Sequence, residues 1–158
     1  MPKIYTDGAC KDGIGVWGFV VLGRKQISSR SDVKENARNC NNEMELYAVL
    51  KALEYIIQNG IHKCSICTDS AYVLTGIQKL EQWQTNDWRN SRGKPIKNRL
   101  LWEEVKNTLN SIDKANVVVT IEKTKAHAGN AFNEKVDKLV RRELRKFLEV
   151  HKTATVNK

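Results

Sequence analysis

Four acidic residues lie in four separate segments, each in a context that suits a metal-binding carboxylate: Asp7, Glu45, Asp69 and Asp137. Asp7 and Asp69 each end a short apolar run, whereas Glu45 and Asp137 lie early in helical patterns. If these carboxylates converge, they make an oxygen-rich site of the kind that hard divalent ions such as Mg²⁺ prefer. Two such ions can bind the attacking and leaving oxygens of a phosphodiester. On a chain of formal net charge +9, this combination points to a nuclease.

Each carboxylate also has a structural interpretation. Asp7 precedes a glycine and suits a turn, whereas Asp69 suits a helix cap. Glu45 would be stabilised by the positive end of a helix, and Asp137 would serve as a solvated helical residue. Charged residues mostly lie on surfaces, so each of these residues taken singly is more often structural than catalytic. Only the set of four favours chemistry.

Hydrophobic periodicity predicts the elements that position these carboxylates. Strands are predicted at about residues 3–7, 17–22, 26–32, 63–69 and 117–123. Helices are predicted from just after Asn42 to a stop at Asn59-Gly60, and at about 71–79, 98–110 and 132–151. The first three strands follow one another at hairpin spacing, which favours an antiparallel meander. The strand at 63–69 follows a helix and should lie parallel to its partner. Asn41 and Asn42 are N-cap candidates for the first helix.

The composition is that of one folded domain with a basic surface. The 158 residues are 41% hydrophobic and 28% charged. Twenty-seven Lys and Arg against 18 Asp and Glu favour a polyanionic partner, although charge alone fits a merely basic surface equally well. No stretch approaches the roughly 20 apolar residues of a membrane helix, and the N-terminus lacks a signal-peptide pattern. We therefore expect a cytoplasmic protein with no membrane partner.

The four cysteines do not favour a zinc site. Cys64 and Cys67 lie in a predicted strand, where an offset of three places side chains on opposite faces. We expect all four cysteines, including Cys10 and Cys40, to be unpaired reduced thiols in a cytosolic protein.

Blocks along the chain resemble the signature blocks of cellular, bacterial-like type 1 ribonuclease H, in the same order and at similar spacing. They are Thr6-Asp7-Gly8-Ala9-Cys10, Asn41-Asn42-Glu43-Met44-Glu45-Leu46, Thr68-Asp69-Ser70-Ala71-Tyr72-Val73, and His127-Ala128-Gly129 through Asp137. The resemblance runs from about residue 3 to about residue 145. It implies an α/β ribonuclease-H-like fold with a five-stranded mixed sheet, three strands antiparallel and two parallel, and helices on both faces. We expect a catalytic domain over residues 1–151 and a flexible tail over 152–158.

The resemblance also implies the reaction, which is endonucleolytic hydrolysis of the RNA strand of RNA–DNA hybrids, leaving 3′-hydroxyl and 5′-phosphate ends. It implies that Asp7 bridges two Mg²⁺ ions, with Mn²⁺ able to substitute. Glu45 and Asp69 would hold one ion each, and Asp137 would complete the shell. His127 matches a family histidine that handles protons or assists product release, and its titration range permits either role. The expected partner is the hybrid duplex, and the expected state is a monomer.

Further positions match residues that contact the hybrid in the family. Asn41 and Asn42 match a pair that reads the shallow groove, where the 2′-hydroxyl distinguishes RNA from DNA. Arg38 and Asn98 match two of three residues that grip a DNA phosphate, and Cys40 stands where the third is usually Thr. The other expected substrate contacts are Gly8, Lys97 and Glu134, the last of them near the metals.

The segment from Trp83 to Lys97 resembles the basic protrusion of the family but departs from it. It carries Gln84-Thr85-Asn86-Asp87 where the family commonly has Lys and Arg. We expect its tryptophans to pack the base of the protrusion, its help in binding to be weaker, and binding to be strongly salt-sensitive.

Two rival functions remain open. One is a nuclease of the same fold associated with a reverse transcriptase or a mobile element, since fold does not fix function. Against it, the chain carries no polymerase or connection segment. The other is a non-catalytic module that binds hybrids. Against this second rival, all four carboxylates are present.

Overall fold

The protein was analysed as a computed structural model that describes residues 2–22, 27–34, 40–124 and 131–156, without the side chains of 27–34 and 151–156. The elements in chain order are β1 (Lys3–Lys11), β2 (Ile14–Leu22), β3 (Ile27–Lys34), α1 (Asn41–Gln58), β4 (Lys63–Thr68), α2 (Ala71–Thr85), α3 (Arg99–Lys114), β5 (Val118–Lys123) and α4 (Ala131–Val156). Their order along the chain is the order of strands and helices that the sequence predicts.

The strands form one five-stranded sheet in the order β3-β2-β1-β4-β5. β2 pairs antiparallel with both β1 and β3, while β4 pairs parallel with both β1 and β5. Asp12 and Gly13 close the first hairpin with φ of 51° and 77°, which matches the two-residue turn that suits twisted antiparallel strands. The predicted mixed sheet, with a meander followed by parallel strands, is confirmed.

Helices cover both faces of the sheet. On one face, α1, α2 and α3 enclose the main core, which includes Ile4, Phe19, Leu50, Ile66 and Trp102. On the other face, α4 contributes Val136 to a smaller cluster with Tyr5, Val20 and Cys67. Cys64 belongs to the first cluster and Cys67 to the second, so the prediction that these two thiols face opposite ways is confirmed.

Four helix boundaries differ from expectation, among them the end of α3, which continues to Lys114 and not to about 110. α1 has Cys40 at its N-cap, so Asn41 and Asn42 are its first residues and the prediction that they cap it is wrong. α2 extends to Thr85 because its apolar stripe continues through Leu80, and it ends where Asp87 and Trp88 adopt positive φ. α4 continues to Val156, beyond the predicted end at 151; the flexibility expected of residues 152–158 stays a prediction.

The prediction of four unpaired thiols is wrong for two of them. Cys10 and Cys40 form a disulfide with 5.4 Å between their Cα atoms. The reason is that β1 continues to Lys11 instead of ending at Asp7, which carries Cys10 alongside the N-terminus of α1. Cys64 and Cys67 are free and buried, as expected.

Candidate active site

The parallel pairing of β1 and β4 places Asp7 and Asp69 at the same end of the sheet. Tyr5 lies opposite Cys67 in that register, and each aspartate follows two residues later. Side chains alternate along a strand, so a step of two residues keeps both carboxylates on the same side. Sequence order and strand pairing together bring residues that are 62 positions apart to one edge.

Gly8 lets the N-terminal turn of α1 approach β1 closely enough for Glu45 to reach Asp7. A Cβ at Gly8 would overlap the backbone of Met44 and the Glu45 nitrogen. These are backbone atoms, so no side-chain rotation could make room. Gly8, which we expected to touch substrate, therefore has a structural role that its position in the motif already allows.

Three of the four predicted carboxylates come together. Ligand oxygens of Asp7, Glu45 and Asp69 all lie within 4.8 Å of one another, with Asp69 exposed and the other two partly buried. Asp137 is not part of this group among the described residues, although its charge raises the pKa of Asp7. Its Oδ1 instead accepts a hydrogen bond of 3.2 Å from Nε of Arg141, one helical turn later.

Without a cation, the surroundings of Asp7 and Glu45 disfavour their ionised forms. Burial is the main cause that raises the pKa of Asp7 to about 6, aided by the charges of Asp69 and Asp137 and opposed by hydrogen bonds from Glu45 and the Gly8 amide. The Gly8 N–H lies 2.9 Å from Oδ1 of Asp7. Burial, followed by hydrogen bonding to Asp7, raises the pKa of Glu45 to about 10. Glu45 therefore holds a proton at neutral pH and donates it towards Asp7.

The cluster fits a hard divalent cation. Its donor atoms are all carboxylate oxygens, which suit Mg²⁺ and not a softer metal. Oε2 of Glu45 is buried without a hydrogen-bond partner, and buried polar atoms are costly to leave unpaired. A cation between these groups would satisfy that oxygen and would stabilise the ionised carboxylates against the burial and the like charge that raise the two pKa values.

The asparagine pair lies beside the carboxylates, on the first turn of α1. Asn41 and Asn42 are both exposed. Oδ1 of Asn41 accepts a hydrogen bond of 2.9 Å from the backbone N–H of Cys10, which fixes this side chain against β1. That contact leaves the amide group of Asn41 as a donor at the rim of the site.

Two of the residues expected to bind a DNA phosphate, or to stand beside those that do, already have partners within the protein. Cys40, which stands where the family usually has Thr, is completely buried and bonded to Cys10, so it offers no donor to a phosphate in this structure. Asn98 is the N-cap residue of α3, with φ of 58°. Its Nδ2 donates a hydrogen bond of 3.0 Å to the hydroxyl of Tyr72. That hydroxyl also accepts from Nε1 of Trp102 at 3.0 Å. Sequence reasoning missed Tyr72, whose signal was a polar aromatic on the inner face of α2.

Several expected contacts remain predictions. Arg38 and His127 lie outside the described residues. Lys97 is exposed in the turn before α3, and Glu134 is exposed in the first turn of α4. Within the described part of the chain neither of these two side chains forms an ion pair, so both positions are accessible to a ligand.

The tryptophans of the protrusion pack into the protein, as expected. Trp88 is 8% exposed, and the ring of Trp83 lies 5.4 Å from that of Trp102 in an edge-on arrangement. Beyond them the loop is ordered by Asn90, whose Oδ1 accepts from the backbone of Arg92 and Lys94 at 2.9 Å each. Residues 84–87 are exposed at the end of α2.

Fold and site together define a ribonuclease-H-like protein with an acidic cluster at one edge of its sheet. The RNase H family matches residues 2–145, and the chain belongs to that family. A Ribonuclease H of Neorickettsia sennetsu is 42% identical, with 91% of this chain and 93% of the relative covered. A Ribonuclease H of Ehrlichia canis is 40% identical, with 90% and 94% covered. The solution structure of the PFV RNase H domain is 24% identical and shows the same fold, with a TM-score of 0.72 over 89% of this chain and 92% of that domain.

Proposed function

We propose that this protein is a metal-dependent endoribonuclease that hydrolyses the RNA strand of RNA–DNA hybrids, leaving 3′-hydroxyl and 5′-phosphate ends. The observation that carries the proposal is the convergence of Asp7, Glu45 and Asp69 within 4.8 Å, on the fold of a family whose similar bacterial members are named Ribonuclease H.

In the proposed mechanism, Asp7, Glu45 and Asp69 would hold two Mg²⁺ ions, with Mn²⁺ able to substitute, and Asp137 would join them in place of its contact with Arg141. Bound ions of this kind supply an attacking water of lowered pKa and stabilise the leaving oxygen. Glu45 would release to the solvent the proton that it shares with Asp7, since a ligand carboxylate must be ionised. His127 supplies or takes up a proton near the leaving group.

Asn41 and Asn42 distinguish the RNA strand by hydrogen bonding in the shallow groove. Asn41 is already held by the Cys10 N–H, so its amide is positioned before substrate arrives. Arg38 and Asn98 contact a DNA phosphate, with Lys97 alongside. In this proposal Asn98 exchanges or shares its bond to Tyr72 when the phosphate binds.

We propose a cytoplasmic, monomeric enzyme. Among the described helices, none has the length and apolar character that crossing a bilayer requires. The formal charge of +9 favours association with nucleic acid by long-range attraction. Size-exclusion chromatography with light scattering would test the monomer directly.

The test is a cleavage assay on matched RNA–DNA, RNA–RNA and DNA–DNA duplexes, with Mg²⁺ or with EDTA. We expect cleavage of the RNA strand of the hybrid alone, and only with metal. Asp7→Asn should abolish cleavage while hybrid binding survives. The matched control is Asp113→Asn, which alters an exposed aspartate in the last turn of α3. Near-normal turnover by Asp7→Asn with Mg²⁺ would contradict the metal assignment.

The same assay separates the rivals. A hybrid-binding module would bind and never cleave, whereas the retained, mutually perturbed Asp7 and Glu45 favour a working site. The structural likeness to the PFV RNase H domain does not support an association of this protein with a reverse transcriptase, because at 24% identity the likeness shows only the fold. The relatives at 40% and 42% identity favour the ribonuclease.

A further inference from the structure

A basic cleft lies on α4, between the helix and β2. Its volume is about 460 Å³, and Val20 and Leu139 form apolar parts of its lining. The remaining lining residues are all cations: Lys135, Lys138, Arg142 and Arg145. The described lining residues include no acid, and all four cations are exposed.

The four cations form one stripe along the helix. At 100° per residue they fall within an arc of about 80°, and they span about 15 Å of helix length. Asp137 lies about 80° or more outside that arc, on the flank that faces the carboxylate cluster. The basic cleft is therefore a surface separate from the candidate active site.

Ion pairing within α4 leaves this stripe uncompensated. Residues 131–150 contain six cations and four acids. Arg141 pairs with Asp137 at 3.2 Å, and Lys146 pairs with Glu143 at 4.0 Å. Within the described part of the chain no ion pair engages the other four cations, and those four are the ones that line the cleft.

We propose that this cleft binds the phosphate backbone of a nucleic-acid duplex, as a contact outside the active site. A duplex carries one negative charge per about 1.7 Å of its axis, so a 15 Å length carries roughly nine phosphates on its two strands, more than the four cations of the stripe could neutralise. Lys and Arg can lay their aliphatic stems over Val20 and Leu139 while their charged ends reach the backbone. An anionic membrane fits less well, because surface-bound helices also present large apolar side chains to the lipid.

Binding at this cleft does not require cleavage, so it can fail or succeed independently of the proposed function. Duplex binding is measured in EDTA by fluorescence anisotropy across a salt series, with a DNA–DNA duplex and with an RNA–DNA hybrid. The test variant is Lys138→Gln/Arg142→Gln. The matched control is Lys114→Gln/Lys146→Gln, which removes the same charge from exposed positions outside the cleft and keeps the pair of Arg141 with Asp137.

We expect the cleft variant to weaken binding of both duplexes about 10-fold near 0.1 M salt and to reduce the logarithmic salt slope by up to ~1.8, or ~0.9 per lost phosphate contact. The control should change the slope by much less. A thermal melt confirms that both variants are folded, and Lys135→Gln/Arg145→Gln provides a second cleft pair.

Equal losses in the cleft and control variants would overturn the proposal, because net charge alone would then explain binding. Unchanged slopes in every variant would overturn it as well. Vesicles with anionic headgroups form a parallel arm: cleft variants that lose vesicle binding and keep duplex binding would replace nucleic acid by a lipid surface.

Discussion

Replacing Asp7 by Asn should stabilise the metal-free protein at alkaline pH and have less effect in mild acid. The folded protein holds Asp7 beside Glu45 and Asp69, where burial and like charge oppose ionisation. An amide of nearly the same size keeps the hydrogen-bonding geometry and carries no charge. The variant therefore removes a cost that the natural chain carries whenever Asp7 is ionised and no cation is bound.

The magnitude follows from the pKa shift. The pKa of Asp7 rises from 3.8 to about 6, a difference of about 2.2, which corresponds to about 3 kcal/mol at 1.36 kcal/mol per unit. The sign is fixed because the folded state keeps its proton to higher pH than the unfolded state does. Stability is thus lost as the pH rises from about 4 to about 6, and the loss stays constant above that. Between pH 4.5 and pH 8 the expected change is about 2 kcal/mol.

The assay is urea unfolding in EDTA at pH 4.5 and pH 8, with the variant compared with the natural chain at each pH. Comparing the two proteins cancels the titrations that the substitution does not alter, and Glu45, whose pKa is raised to about 10, keeps its proton at both pH values in the natural chain. Asp113→Asn controls for the removal of an exposed aspartate. Adding Mg²⁺ at pH 8 should stabilise the natural chain and close the gap, since a ligand that binds only the folded state adds stability.

The reasoning is wrong if Asp7→Asn is no more stable than the natural chain at pH 8, or if its advantage is the same at both pH values. Either result would mean that Asp7 is solvated well enough to ionise without penalty. An Mg²⁺ effect that is equal in the two proteins would show that the cation binds elsewhere.

Further predictions concern residues that position the site or bind substrate near it. Gly8→Ala should lower kcat/KM about 100-fold and weaken the Mg²⁺ effect on melting, because the added methyl group displaces α1 and its glutamate from β1; unchanged kinetics would contradict the close packing. Reducing Cys10–Cys40, which are 30 residues apart, should cost up to about 4 kcal/mol, or about 10 °C in Tm, and leave cleavage intact. His127→Ala should slow turnover about 10- to 1,000-fold in a steady-state assay, and no change would make it a surface residue. Lysines at three of the exposed positions 84–87 should lower KM and steepen its salt dependence, which a salt series checks.

The carboxylates of the two strands were predictable from the sequence because simple rules fix them. Each ends an apolar run, and strands that lie parallel in one sheet carry their ends to the same edge. The close approach of Glu45 depends on Gly8, and the motif suggests but does not prove it, since a glycine in a turn has other uses. Only the structure shows the backbone of Met44 against it.

The errors have physical causes of two kinds. The Cys10–Cys40 bond escaped prediction because it depends on β1 running four residues past Asp7, and strand ends are poorly marked in sequence. The pairing of Asp137 with Arg141 follows a spacing of four residues that sequence does show. It competes with metal binding for the same carboxylate, and sequence does not say which interaction wins without a cation.

The contact between β1 and the N-terminus of α1 does not depend on the redox state of the protein. The disulfide contributes to this contact, and so do two noncovalent interactions. The Gly8 backbone packs against Met44, and the Cys10 N–H donates to Asn41. In a reducing cytoplasm the disulfide would be open, because cytosolic thiols are kept reduced. The two noncovalent contacts do not need it, and they are the ones that place Glu45 and Asn41. Oxidation therefore stabilises the fold chiefly by restricting the unfolded chain, while the position of the carboxylates depends on packing that persists in either state.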